Sequence, residues 1–205
     1  MNRLLLSLAV CIGFSGGYMS AQDRHDSHRG HEAYGRQGHH CRSPYLISNN
    51  DVFFEGKKIS GASAMGFSIL RDGYAKDTWS VFYRGVEIKG ATSNSFKVLG
   101  YGYAKDTWNV YYNGVIIKDA NAGSFSVLSD WYAKDTWNVY YDGKPVADAT
   151  AGSFRVLKDG YAKDTWNVYF DGKLVEGASA GSFKVLRDGY AEDTWYTYYY
   201  GRKIN

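Results

Sequence analysis

Apolar and polar positions recur along this chain with a period of 29 residues. The clearest marks are Trp79, Trp108, Trp137, Trp166 and Trp195, each closing an Asp-Thr-Trp triplet, and the same order of residues returns around each of them. From Tyr103 the chain reads Tyr-Ala-Lys-Asp-Thr-Trp-Asn-Val-Tyr-Tyr-Asn-Gly, then the apolar triplet Val115-Ile116-Ile117, then Asp-Ala, and finally Ser-Phe-Ser-Val-Leu. Other copies begin at Tyr45, Tyr74, Tyr132 and Tyr161, with a half copy from Tyr190; in the first, Ser48 and Asn50 stand where the others have Asp and Trp. A unit this short cannot bury a core alone, so the copies must stack on one another, and terminal copies are expected to be atypical.

The punctuation between apolar runs predicts strands. Gly56, Gly85, Gly114, Gly143, Gly172 and Gly201 form one column, preceded in three copies by Asn113, Asp142 or Asp171. Asn-Gly or Asp-Gly between apolar runs is a hairpin signal, since both residues tolerate positive φ. A second such signal, at Asp72-Gly73, Asp159-Gly160 and Asp188-Gly189, joins the Phe-x-Val-Leu run to Tyr-Ala-Lys, and the Asp-Thr step before Trp predicts a third tight turn. Three to four short strands per repeat follow, with no long helix after residue 45. Alternation along Trp-Asn-Val-Tyr-Tyr places Trp108, Val110 and Tyr112 on one face, expected to be the core, and Asn109 and Tyr111 on the other. Pro145 lies in the fourth run, where its missing N–H argues for an edge strand. The chain enters and leaves its repeats at the same half, which favours an all-β open, solenoid-like stack of antiparallel hairpin repeats over the alternative of a propeller-like ring.

Aromatic residues make up 17% of the chain, with 19 Tyr, 10 Phe and 6 Trp, in keeping with a strand-rich fold. The succession Tyr-Ala-Lys-Asp, aromatic-x-Val-Tyr-Tyr, a Gly turn and Ser-Phe-x-Val-Leu resembles the bacterial DKNYY repeat family over residues 45–205. The chain departs from the family name in placing Trp where Tyr is common. The resemblance implies a bacterial repeat protein and imports no catalytic residue.

The first 44 residues are of another kind. Arg3, the apolar run at residues 4–14 and the small residues Gly16, Gly17, Ser20 and Ala21 predict a secretory signal peptide over residues 1–21. An exported protein follows: periplasmic, cell-surface or secreted. The run is too short to span a bilayer, and no later stretch is long enough, so no transmembrane segment is expected after signal removal. The residues before Cys11 form only a degenerate lipidation signal.

Residues 22–44 form a polar linker that carries His25, His28, His31, His39 and His40, with Cys41 directly after. Imidazoles and a thiol at this spacing could hold Zn, Cu or Ni weakly, whereas the composition suits a solvated tether with no preorganised site and no obligatory cofactor. With the signal removed, Cys41 is the sole cysteine, able to form a disulfide-linked dimer or to remain a free thiol.

From residue 45 onward 19 Lys and Arg face 18 Asp and Glu, which provides no basic stripe for nucleic acid. The Lys76, Lys105, Lys134 and Lys163 column, broken by Glu192, is expected to be a solvated face. The repeats hold neither His nor Cys, and the Asp77, Asp106, Asp135, Asp164 and Asp193 column suits turn-forming side chains better than calcium ligands or paired acids, so no enzyme is expected. Candidate binding residues are Tyr111, Tyr140 and Tyr169 with Asn109, Asn138 and Asn167, as a strip for a glycan or protein at the cell envelope. The competing reading is a structural envelope spacer.

Overall fold

The computed structural model describes residues 43–129 and 131–205, of which residues 44–205 form one compact unit. The predicted signal peptide, and the linker histidines and Cys41 with the metal and disulfide readings placed on them, lie outside the described residues.

Six small antiparallel sheets follow one another along the chain, and none closes into a barrel. The first has three strands, Tyr45–Ser48, Asp51–Phe54 and Lys57–Lys58. Each later sheet has four strands in sequence order, as in Lys97–Gly100, Tyr103–Lys105, Val110–Tyr112 and Val115–Ile116. Tyr111 stands opposite Ala104 on one side and Ile116 on the other, while Tyr112 stands opposite Tyr103 and Val115. A bulge between Val98 and Gly100 interrupts the first strand of this sheet. Among the described residues the helical content is a single 3-10 turn, Ser93–Ser95, in the segment linking two sheets. Pro145 lies in the edge strand Lys144–Pro145, as its missing donor requires.

The core lies between sheets. Tyr103, Val110 and Ile117 of one repeat meet Ala133 and Tyr140 of the next, with Ala122 and Phe125 of the linker closing the cluster. Phe96 shows the layering: its ring centroid is 5.4 Å from Tyr74 of the sheet before it and 5.5 Å from Tyr111 of the sheet after it. Both faces of the third strand are therefore buried. This corrects the expected division into a Trp-Val-Tyr core face and an outer face: Val110 is buried as expected, but Tyr111 is fully buried and Trp108 is exposed. Alternation identifies a core face only where one side of a sheet meets water, and here neither side does.

Hydrogen bonds tie each repeat to its neighbour. The Tyr74 hydroxyl donates to Gly102 O at 3.0 Å and accepts the Gly114 N–H at 2.9 Å, and Tyr45, Tyr103, Tyr132 and Tyr161 each accept the N–H of the corresponding glycine. The Gly column has two reasons to be Gly. Gly114 has φ +80°, and a Cβ added there would lie 2.6 Å from Tyr83 Cβ of the preceding repeat.

The Lys column does not form a solvated face. Lys105 Nζ donates to Ala122 O at 2.8 Å, and Lys76 and Lys134 reach Ser93 O and Ala151 O in the same way, so each lysine fastens its sheet to the linker that follows. Lys163, bonded to Ala180 O, is buried. Contacts between neighbouring layers are those of an open stack. Tyr190, in the last sheet, is 42% exposed where its counterparts Tyr74, Tyr103, Tyr132 and Tyr161 are fully buried under the next repeat.

Candidate functional site

The turn between the second and third strands is built on one aspartate. Asp106 Oδ1 accepts the N–H groups of Trp108 at 2.8 Å and Asn109 at 2.7 Å, which closes the turn as an Asx motif. Its Oδ2 accepts the Thr92 N–H of the preceding linker and the Tyr111 hydroxyl, both at 2.8 Å. Asp77, Asp135, Asp164 and Asp193 accept from the equivalent turn N–H groups. Burial alone would raise the pKa of Asp106, Asp135, Asp164 and Asp193, but the hydrogen bonds each carboxylate accepts outweigh it and hold the value below the ordinary one. These oxygens are committed to holding the turn. Among the described residues no group of three or more His, Cys, Asp or Glu is gathered as a metal site would need.

The turn is pinned from a second side as well. The Thr107 N–H donates to Ser95 Oγ at 3.2 Å, and Thr136, Thr165 and Thr194 repeat the bond to Ser124, Ser153 and Ser182. The N–H groups on both sides of the tryptophan are thus held by the side chains of Ser95 and Asp106. Trp79, Trp108, Trp137, Trp166 and Trp195 are between 75% and 82% exposed. No ring contact or hydrogen bond holds their side chains among the described residues. They form a ladder, one indole per repeat, each at the same place in the same turn.

The structure places the sequence-predicted binding residues differently from one another. Tyr111, Tyr140 and Tyr169 are buried, with their hydroxyls donating to Asp106, Asp135 and Asp164, so the exposed tyrosine strip is not there. Asn138 is exposed, and Asn109 and Asn167 are half-buried beside the indoles; the Asn167 amide donates to Asp148 O at 3.2 Å. Counting parity through Trp108, as though it belonged to the strand, turns the indole inward. The strand begins at Val110, and Trp108 belongs to the turn. The available signal was the Asp two residues before each Trp, since an Asx turn directs that residue away from the ladder of hydrogen bonds.

An exposed indole offers a flat apolar face and an N–H donor, suited to stacking on a sugar ring or packing against a partner's apolar side chain. Five such groups recur at one period. Among the described residues no helix is long and apolar enough to cross a membrane.

The model of the DKNYY family matches this chain over residues 45–165 and again over residues 74–202. No curated protein and no solved structure matches it.

Proposed function

Because the chain belongs to the DKNYY family, a repeat family of uncharacterised function, we propose from the exposed indoles that it is an exported binding module, with the tryptophan edge as its contact surface at the cell envelope. The observation that carries this reading is the contrast between columns. Tyr, Phe, Val and Ala columns are drawn into the stack, while the largest apolar side chain in the repeat is held in water five times over. Exposed apolar groups arranged in this way mark interaction surfaces. Export rests on the signal-peptide pattern at residues 1–21. The reading asks for no catalytic residue: the repeated acids of the Asp column are bound up in turns, and each repeat presents the same groups.

A structural spacer remains the second reading, favoured by the continuous stacking of the repeats. Sedimentation of the mature protein with washed envelope material separates the two. Wild type is expected to pellet, and a variant with all five ladder tryptophans changed to Ser is expected to stay in solution while keeping its far-UV circular dichroism. Equal pelleting of the two proteins would sink the binding reading.

A further inference from the structure

We infer that the ligand of the tryptophan edge is an unbranched neutral polysaccharide lying along the array, with one indole stacking on every second sugar. The inference rests on the binding reading above and adds the ligand class.

The first argument is from period. Five turns of the same construction present the same side chain, with Thr before it and, in three copies, Asn after it. A folded protein partner has no reason to match five equal steps, whereas a polymer does. The step length follows from the packing of neighbouring sheets against one another, since facing sheets lie about 10 Å apart. That is about the length of a disaccharide in an extended chain. In a β-1,4-linked chain alternate sugars are turned over, so the same face recurs once per disaccharide and can meet one indole per repeat.

The second argument is from charge. An acidic polymer would need cations on this edge, and the repeating cation is unavailable for it. Lys76, Lys105 and Lys134 point their ammonium groups onto linker carbonyls, and Lys163 is buried on Ala180 O. The repeating anion is equally withdrawn, since each Asp carboxylate accepts turn N–H groups. Next to the three central indoles in sequence stand hydroxyls and amides: Thr107 and Asn109, Thr136 and Asn138, and Thr165 with Asn167, whose amide donates to Asp148 O. Such groups exchange hydrogen bonds with sugar hydroxyls and N-acetyl groups without demanding charge.

The test uses the mature protein and defined β-1,4-linked oligomers of glucose and of N-acetylglucosamine, from disaccharide to decasaccharide, followed by calorimetry. One series is expected to bind, with affinity rising by about 10²-fold with length, because the second and later contacts become intramolecular. Trp137→Ala, at the centre of the ladder, leaves two indoles on each side and is expected to weaken the decasaccharide more than Trp79→Ala, which leaves four in a row. Binding that does not change with length, or equal effects of the two substitutions, would overturn the polymer inference. So would retention of tryptophan-dependent envelope sedimentation with neither oligomer bound, and that result would leave the binding reading standing.

Discussion

Replacing Asp135 by Asn alters one oxygen of a buried carboxylate, and the consequence can be worked through atom by atom. Oδ1 accepts from Trp137 N at 2.8 Å and Asn138 N at 2.7 Å, and the amide oxygen of Asn can keep both bonds. Oδ2 accepts from Asn121 N at 2.9 Å and from the Tyr140 hydroxyl at 2.8 Å. An NH2 group in its place can be accepted by the Tyr140 oxygen if that hydroxyl turns round, but it meets the Asn121 N–H donor to donor. The loss is one hydrogen bond to a charged acceptor, about 1.5–3 kcal/mol, together with a donor left without an acceptor, about 1–3 kcal/mol. Asp135→Asn should therefore lower stability by about 2.5–6 kcal/mol. Tyr140→Phe removes only the hydroxyl bond from the same carboxylate and should cost about 1.5–3 kcal/mol. Urea unfolding at neutral pH, followed by circular dichroism and fluorescence, measures both. If Asp135→Asn stays within about 0.5 kcal/mol of wild type, the scale of an ordinary surface change, the aspartate does not hold turn, linker and strand together.

Other outcomes follow from the same contacts. Trp137→Ala should change the unfolding free energy measured in urea by no more than about 0.5 kcal/mol, because the side chain is 76% exposed; a loss near the value for a buried aromatic would return the indole to the core. Gly114→Ala should cost more than about 2 kcal/mol, since it places a side chain at φ +80° and against Tyr83, and wild-type thermal stability in that variant would refute the close approach. Asp106, Asp135, Asp164 and Asp193 have folded pKa values below the unfolded one, so their stabilisation is present above about pH 4 and is lost as pH falls through the folded values. Tyr161 and Tyr169, raised by burial to about 12, act in the opposite direction. Their contribution is complete below about pH 10 and is lost as pH rises toward the folded values. Urea midpoints across pH should thus fall at both ends, and a flat profile below pH 4 would contradict the acid side.

The period, the turns and the strand content could be read from the chain because they depend on residues near one another in sequence. Asn113-Gly114 and Asp159-Gly160 predict their own hairpin turns, and Pro145 its own edge. What lay beyond reach depends on the next layer. Nothing local to Gly114 says that Tyr83 presses on it, or that Lys105 will find the Ala122 carbonyl. The inversion at the candidate site has the same origin. Tyr111 looked like an outer residue because one face of its strand was assumed to be wet, and stacking made both faces dry. The Asp motif before the tryptophans predicts its own turn, and that turn carries the following indole out of the strand's alternation.

The strongest reason to place function on the tryptophans is that the repeated Tyr, Phe, Lys, Asp and Gly columns are explained by contacts. Tyr103 bridges to Trp131 O and Gly143 N; Phe125 packs between Tyr103 and Tyr140; Lys105 fastens the linker; Asp106 closes the turn; Gly114 admits Tyr83. Each would be retained by folding alone. Trp108 contributes its backbone N–H to the Asp106 turn, which any residue but Pro could do, and its indole meets no other ring among the described residues. Stability therefore does not ask for Trp there, and solubility argues against it. The same residue nevertheless stands at that place in five repeats, whose shared architecture carries it into five equivalent settings. A column that the fold does not need, and that water disfavours, is where the chemistry of a ligand has to be looked for.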